Sequence, residues 1–439
     1  MKKVVKFGGS SLASARQFKK VKAIIDADKT RCYVVPSAPG KRDSKDTKVT
    51  DMLYQCYDAA STGQSYKRIL DQIKKRYTDI IDGLELNLNL DFEFSKIEEN
   101  FLNKVGRDYA ASRGEYLNGL IMANYLGFTF VDAADVIRFD ADGNFLSEKT
   151  NEEMREHLAS LKQAVIPGFY GAKPDGTIHT FSRGGADITG SIVARAIQAD
   201  LYENWTDVSG FLVADPRIVD NPAPIETITY TELRELSYMG ASVLHEDAIF
   251  PVRKEGIPIN IRNTNRPEDP GTMIVENTSK RPRYTITGVA GKKGFCAMNI
   301  DKAMMNSEVG FGRKVLEVFE KNGISFEHMP SGIDTMSVLV HQDEFQEREQ
   351  SVLAGIQRAV HPDIVTLESD LAVIAVVGRG MKAMRGTAAR IFAALAHAKI
   401  NVKMIDQGSS ELNIIIGVAD DDFEPAIRAI YDIFVKTEL

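Results

Sequence analysis

The feature that most constrains this chain is an internal repeat in its last third. Gly310 and Gly386 stand 76 positions apart, and the same offset, without a gap, aligns Met305 with Met381, Val315 with Ile391, Leu316 with Phe392 and Phe319 with Leu395. It continues through Ile324 with Ile400, Phe326 with Val402, Met336 with Leu412 and Leu339 with Ile415. Matched apolar positions on matched periods mean two copies of one small α/β unit. Each reads strand, glycine-containing loop, helix, strand, tight turn, strand, helix. The first copy can complete its sheet with a strand near 363–367. The second ends in a helix at about 422–435, so its last strand must come from elsewhere, and the β-rich run 284–290 can supply it. The two copies, about 295–368 and 369–439 plus 284–290, are expected to interleave as ferredoxin-like βαββαβ units within a region 284–439.

The first 275 residues follow a different logic. A β-type run at 2–7 is stopped by Gly8, Gly9, Ser10 and Ser11, a helical pattern covers 13–26, and 32–36 is the next strand. Helical periodicity over 51–125 and further β-type runs at 128–132, 164–167, 177–181 and 200–205 predict a three-layer αβα sandwich around a mainly parallel sheet. The Pro- and Asp-rich stretch 214–230 reads as loop and 258–261 as the last strand. Pro267, Pro270, Gly271 and Pro282 mark 263–284 as a hinge.

A chain of 439 residues, 44% hydrophobic and 26% charged, has room for two or three such domains with ordinary cores. Its net charge of −7 argues against a nucleic-acid or anionic-membrane surface. Cys32, Cys56 and Cys296 are far apart with no CxxC spacing, so neither a disulfide framework nor a metal site is expected, and a cytoplasmic location fits. No apolar run approaches the ~18–20 residues that span a bilayer, and the N-terminus has no signal-peptide core.

Two places combine a strand, paired glycines and a helix start. Lys6-Phe7-Gly8-Gly9-Ser10-Ser11 offers backbone N–H groups, a helix N-terminus and an ammonium to phosphate oxygens. It is not a Walker A loop, because GxxxxGK[ST] is missing. Read alone, it fits a plain strand-to-helix turn equally well. Phe181-Ser182-Arg183-Gly184-Gly185-Ala186-Asp187 opens the second, with a guanidinium suited to carboxylate or phosphate. Asp187 there is also an ordinary helix-start acid. Two such sites in one chain are much harder to attribute to chance. Polar clusters at Thr206-Asp207-Val208-Ser209-Gly210 and Asp215-Pro216-Arg217 follow a strand, where open α/β sheets place ligand loops.

Together these motifs resemble the aspartate kinase branch of the amino acid kinase family, and the resemblance covers essentially the whole chain. Residues 6–11, Ser37-Ala38, Thr50, Gly114-Glu115, 183–187, 206–210 and 215–217 match its motifs in order. The resemblance implies that Lys6, Gly8, Gly9 and Ser37 hold the ATP phosphates, and that Thr206, Asp207 and Arg217 line the nucleotide site. It implies that Glu115 pairs with the substrate ammonium, that Arg183 and Thr50 bind its carboxylates, and that Asp187 organises Lys6. The cofactors would be ATP and Mg²⁺, the latter held mainly through the phosphates. The physics agrees, because an aspartate carboxylate with a pKa of roughly 3.9 is already ionised and needs charge and positioning rather than a base.

Two positions depart from the pattern. Ser242 replaces the lysine of the Gly-Ala-Lys-Val-Leu-His segment, with Glu246 at the following proline position, and Ala186 replaces the serine of Arg-Gly-Gly-Ser-Asp. Lys41, Lys45 or Lys48 could supply the missing charge. These departures keep two other readings open: a kinase for another amino acid such as glutamate, and a catalytically weak amino-acid sensor.

Leu371–Val377 followed by Gly378-Arg379-Gly380-Met381-Lys382-Ala383 imitates a dinucleotide fingerprint, with Asp406 at a suitable distance. Too little chain follows for that fold, a short turn at 407–410 implies a hairpin, and the first copy has Lys302 and Met304 at the glycine positions. The repeat instead resembles the tandem ACT domains of aspartate kinases. An amino-acid effector, lysine first and threonine second, would then lie at Met305, Glu308, Gly310 and Phe311, with Glu327 on the facing strand. The alternative makes Met305 and Phe311 core and Glu308 a solvated acid. Homo-oligomers through the ACT units are expected, and a fused homoserine dehydrogenase is not.

Overall fold

The structure is a computed structural model describing residues 1–182, 184–241, 244, 248–280 and 282–437. The chain divides into two compact units.

The first unit takes residues 1–211, 224–230 and the described part of 244–278. Its strands are β1 (Lys3–Phe7), β2 (Arg31–Pro36), β3 (Thr129–Phe130), β4 (Ala164–Val165), β5 (Tyr170–Ala172), β6 (Ile178–Thr180), β7 (Leu201–Thr206), β8 (Thr227–Thr229), β9 (Ile259–Asn263) and β10 (Thr272–Val275). Eight of them form one sheet in the order β3-β4-β2-β1-β7-β9-β10-β8, and β5 and β6 make a separate hairpin. All neighbours in the large sheet are parallel except β9 and β10.

Strand alternation sorts side chains between the two helical layers. Val5, Phe7, Val34, Val165 and Trp205 join a core with the helices Ala15–Asp26, Val49–Ser61, Lys67–Gly83, Asp91–Leu102 and Arg107–Leu126. Lys6 and Asn204, cross-strand partners one residue out of phase, look toward the helix Gly185–Ala196 on the other face. This is a three-layer αβα sandwich. The long helix Arg107–Leu126 stops at Gly127, whose φ of +73° gives a left-handed cap.

Two stretches read as irregular contain strands of this sheet: β8 within 214–230 and β10 within the supposed hinge 263–284. The run Thr272-Met-Ile-Val is β-prone, but the Pro and Gly before it masked the signal. Gly271, at φ +71°, makes the sharp return from β9; a Cβ there would lie 1.9 Å from the Ile261 carbonyl oxygen. Thr272 then locks the turn, its Oγ1 accepting from the Phe211 N–H (2.8 Å) and donating to the Ile225 carbonyl (2.6 Å).

The second unit takes 279–437 together with 212–223 and 231–241. Its strands are β11 (Gly288–Asp301), β12 (Thr335–His341), β13 (Ile364–Val377), β14 (Met404–Asp406) and β15 (Asn413–Ala419), ordered β12-β11-β13-β15-β14. β11 and β13 each serve both repeat copies. The first part of β11, Gly288–Lys292, pairs with Val373–Val377, and its later part pairs with Ile364–Leu371. The register breaks between Lys292 and Phe295, at Gly294 (φ +85°), where one copy hands over to the other. Each copy packs two helices on its sheet, Phe311–Lys321 with Glu349–Val360 and Thr387–His397 with Phe423–Tyr431.

The dinucleotide-like glycines have a packing role. A Cβ on Gly378 would meet the Thr287 backbone nitrogen at 2.7 Å, and one on Gly380 the Thr285 carbonyl oxygen at 2.5 Å. They allow the chain at 285–287 to lie against this loop. Here Arg379 binds Glu232, a fully buried acid, through its backbone N–H and its guanidinium, both at 2.8 Å, while the Thr287 hydroxyl donates to Glu232 at 2.6 Å.

Candidate active site

In the first unit, β1, β2, β4 and β7 run parallel, so their carboxyl ends share one edge of the sheet. Among the described residues, Lys6, Gly8, Gly9, Ser37, Asp187 and Thr206 lie along it. Lys6, nine-tenths buried, points its Nζ to 2.5 Å from Asp187 Oδ1, in the first turn of the helix Gly185–Ala196. Asn204 completes a triangle: its Oδ1 accepts from Lys6 Nζ at 3.3 Å, and its Nδ2 donates to Asp187 Oδ1 at 2.8 Å. Tyr202 fixes the same helix turn by donating to the Asp187 carbonyl at 3.0 Å. Gly190 leaves room for that tyrosine, since a Cβ would lie 2.5 Å from its hydroxyl.

The Gly8-Gly9 turn lies beside this triangle. Gly8 donates to the Trp205 carbonyl at 3.0 Å, and a Cβ on Gly8 would sit 3.5 Å from Lys6 Nζ. Gly9 touches the loop after β2: its carbonyl accepts from Gly40 N–H at 2.8 Å, and a Cβ on Gly40 would strike Gly9 at 2.5 Å. Ser37 donates its N–H to Phe7 at 3.0 Å, and its carbonyl accepts from Asn118 Nδ2 at 2.6 Å.

Glu115 lies behind that loop. It is held by the Ala38 backbone N–H and so buried that its carboxyl is pushed up to about 8, burial outweighing the hydrogen bonds and the Arg113 charge. Among the described residues, Glu115 Oε2 and Asn118 Oδ1 are buried acceptors without a partner, three residues apart on one helix. Such acceptors suit an ammonium donor. Gly114, in contact with Ala38 and 3.8 Å from Thr50 Oγ1 at its Cβ position, brings Thr50 to the same loop.

Thr206 ends β7 and Asp207 is exposed just beyond it, 3.3 Å from the Thr206 hydroxyl. Arg217 belongs to a segment that clusters with the second unit, and its exposed side chain closes on Asp215 at 2.5 Å. In that unit Val213 accepts from Val289, and Tyr431 and Arg428 bind Ala223 and Ile218. Arg183, Ser242 and Glu246 lie outside the described residues. Lys41, Lys45 and Lys48 are exposed on a loop fastened by Asp46, which binds Arg76 at 2.5 Å and Arg42 at 2.9 Å.

Asn204, Gly40 and Asn118 were not singled out from the sequence. Asn204 carried a usable signal, because a Glu-Asn pair in the middle of an otherwise apolar central strand has to be satisfied by specific partners.

Of the effector candidates, Met305 and Phe311 are buried in the core of the first repeat copy. Gly310, at φ +81°, is the residue before the helix Phe311–Lys321. Glu308 is gripped by Lys302 (2.5 Å) and Lys314 (2.6 Å), whose hydrogen bonds hold its carboxyl down at about 2. Glu327 pairs with His341 at 3.2 Å.

A lysine fixed by an acid at the carboxyl edge of a parallel sheet, flanked by glycine turns, defines a phosphotransferase of the amino acid kinase type. Residues 1–263 match the model of the amino acid kinase family, and residues 374–434 match an ACT domain. The chain is 40% identical to aspartokinase 3 of Bacillus subtilis (strain 168) over 98% of each chain. The crystal structure of Clostridium acetobutylicum aspartate kinase, described as an allosteric enzyme, superposes with a TM-score of 0.91 at 51% identity, covering 99% of this chain and 100% of that one. E. coli aspartokinase III, solved in complex with aspartate and ADP, shares the fold at a TM-score of 0.74 and 21% identity over 99% of each chain. The chain belongs to the amino acid kinase family, and within it to the ATP-dependent aspartokinases with ACT domains.

Proposed function

We propose that this chain transfers the γ-phosphate of ATP to the side-chain carboxylate of aspartate, giving 4-phospho-aspartate for lysine, threonine and methionine synthesis. The observation that carries this is the Lys6–Asp187–Asn204 triangle beside the Gly8-Gly9 turn, with the orphaned Glu115 acceptor behind the adjoining loop. The first supplies a positioned cation and N–H groups for a polyphosphate; the second supplies a partner for an amino-acid ammonium.

The acceptor carboxylate is a nucleophile as it stands, so catalysis reduces to bringing an anion to a polyanion and offsetting the charge. Lys6 and the glycine amides do this for the phosphates. Thr50 and Arg183 are assigned to the substrate carboxylates, and Thr206, Asp207 and Arg217 to the nucleotide. The donor set fits a Mg²⁺ carried on the phosphates, because Asp187 is already engaged by Lys6. When bound, that ion would neutralise phosphate charge.

The same reading makes the chain a cytoplasmic homo-oligomer inhibited by an end-product amino acid, lysine first, at the loop 305–311 of the first ACT copy. With Met305 and Phe311 packed in the core, recognition would fall to Glu308, and an effector ammonium would displace Lys302 or Lys314 from it.

ADP release measured with a panel of amino acids tests the proposal. Turnover with aspartate alone, lowered by lysine, is the expected result. Turnover with glutamate instead reassigns the substrate, and none with any amino acid points to a sensor.

A further inference from the structure

We infer that Asn204 is a positioning residue of the phosphate site, an amide strut that aims the Lys6 ammonium by holding it and Asp187 at once. The inference deepens the kinase reading and rests on it.

Asn204 sits on β7 directly beside Lys6 on β1, both nearly buried and on the same face of the sheet. Its amide has one orientation compatible with its neighbours: the oxygen toward the ammonium at 3.3 Å, the nitrogen toward the carboxylate at 2.8 Å. Reversing it would place N–H against N–H and oxygen against oxygen. Asp187 Oδ1 thus receives Lys6 and Asn204 together.

The consequence is directional. An ammonium has three N–H donors. Asp187 takes one and Asn204 another, which leaves a third for an oxygen bound at the adjacent Gly8-Gly9 turn. Asp187 alone would hold the charge without choosing among the rotations of the ammonium or the rotamers of the lysine. A second acceptor, on a different strand, makes the choice. The Asn204 N–H also shares the Asp187 carboxylate, which weakens its competition with phosphate for the same cation. Both effects raise turnover while leaving amino-acid binding at Glu115 untouched.

The test compares Asn204→Leu and Asn204→Asp with the unsubstituted chain, each checked for folding by thermal melting and circular dichroism. With Asn204→Leu, kcat should fall about 10- to 100-fold, less than the roughly 10²- to 10³-fold loss of a donor that touches the reacting group, with KM for aspartate within about twofold. Asn204→Asp keeps the shape but adds a negative charge. Its affinity for ATP, read by calorimetry without turnover, should drop at least about tenfold at pH 8. It should recover toward pH 6 as the introduced carboxyl takes up a proton and can donate to Asp187 again. An Asn204→Leu enzyme within about threefold of the parent kcat, or an Asn204→Asp enzyme whose ATP affinity ignores pH, overturns the inference. Failure of the unsubstituted chain to phosphorylate any amino acid would instead overturn the kinase reading, and the ATP-binding arm still judges Asn204.

Discussion

Lys6 Nζ stands 2.5 Å from Asp187 Oδ1, an ion pair that joins the central strand to the first turn of the helix Gly185–Ala196. Both partners are largely shielded from water, so Asp187 competes with any phosphate that approaches Lys6. Lys6→Met should cut kcat by about 10²- to 10³-fold, as expected for losing a charged donor to a developing negative charge. Asp187→Asn removes the competitor but also the anchor, and should lower kcat less, by about tenfold, while tightening ATP binding. Steady-state kinetics with ATP varied separates the two, and equal losses in both variants would contradict the assigned roles.

Glu115 gives a pH signature. Its carboxyl is pushed up to about 8 by burial, so at pH 7 the empty site holds it protonated. A substrate ammonium needs the carboxylate, so aspartate binding at pH 7 should release close to one proton, and the release should shrink as the pH is raised through 8. Calorimetry in buffers of different ionisation heat measures this, and buffer-independent heats at pH 7 would refute it. Folding shows the same linkage with a definite sign. The unfolded carboxyl ionises near 4.5 and the folded one near 8, so this group makes the fold less stable as pH rises between those values. Glu115→Gln should therefore melt higher than the parent at pH 8, by a few degrees, and match it near pH 5, while its affinity for aspartate falls about 10- to 100-fold.

Much of this was legible beforehand, and what was not has identifiable causes. The repeat was visible because both copies bury the same positions, so Val315 and Ile391, or Phe319 and Leu395, must stay apolar in each. The pairing of Lys6 with Asp187 was legible only because two strand–glycine–helix turns in one chain are hard to attribute to chance, each alone being an ordinary turn. β10 escaped notice because its four residues follow Pro267, Pro270 and Gly271, where local turn chemistry outweighs strand propensity. Nor could sequence reveal that β11 and β13 are single strands, because Gly294 and the polar pair Ser369-Asp370 look like breaks and act as bends.

Glu203 is a second buried acid, with a structural task. It lies fully buried on β7, bound by Arg31 at 2.8 and 3.3 Å, by Lys3 at 3.2 Å and by the Trp205 indole at 2.9 Å. Burial alone would raise its pKa, but these cations and the indole donor overrule it and hold the carboxyl below the usual range. Its contribution is therefore present above the unfolded pKa and is lost as pH falls through the lower folded value. Arg31→Met should cost about 3–5 kcal/mol in urea unfolding at pH 7.5, because it strips one partner from a buried charge. A cost under about 1 kcal/mol would mean that Lys3 and Trp205 suffice.

In the loop that imitates a dinucleotide fingerprint, the glycines and the arginine serve one buried carboxylate. Glu232 receives the Thr287 hydroxyl, the Arg379 N–H and the Arg379 guanidinium, and Gly378 and Gly380 let 285–287 approach closely enough for Thr287 to take part. Gly380→Ala puts a methyl 2.5 Å from the Thr285 carbonyl oxygen, a contact that backbone must move to relieve, and Gly378→Ala does the same at 2.7 Å to Thr287 N. Each should lower stability by about 1–3 kcal/mol, the usual cost of overpacking. Glu232→Gln, which keeps the shape and loses the charge, should cost about as much through its weakened bonds to Arg379. Urea unfolding measures all three. A titration with NADH followed by nicotinamide fluorescence should show no saturable binding at this loop in the parent chain, because the backbone of 285–287 lies against both glycines. Saturable NADH binding that Gly380→Ala abolishes would reverse that assignment and make the loop a nucleotide site after all.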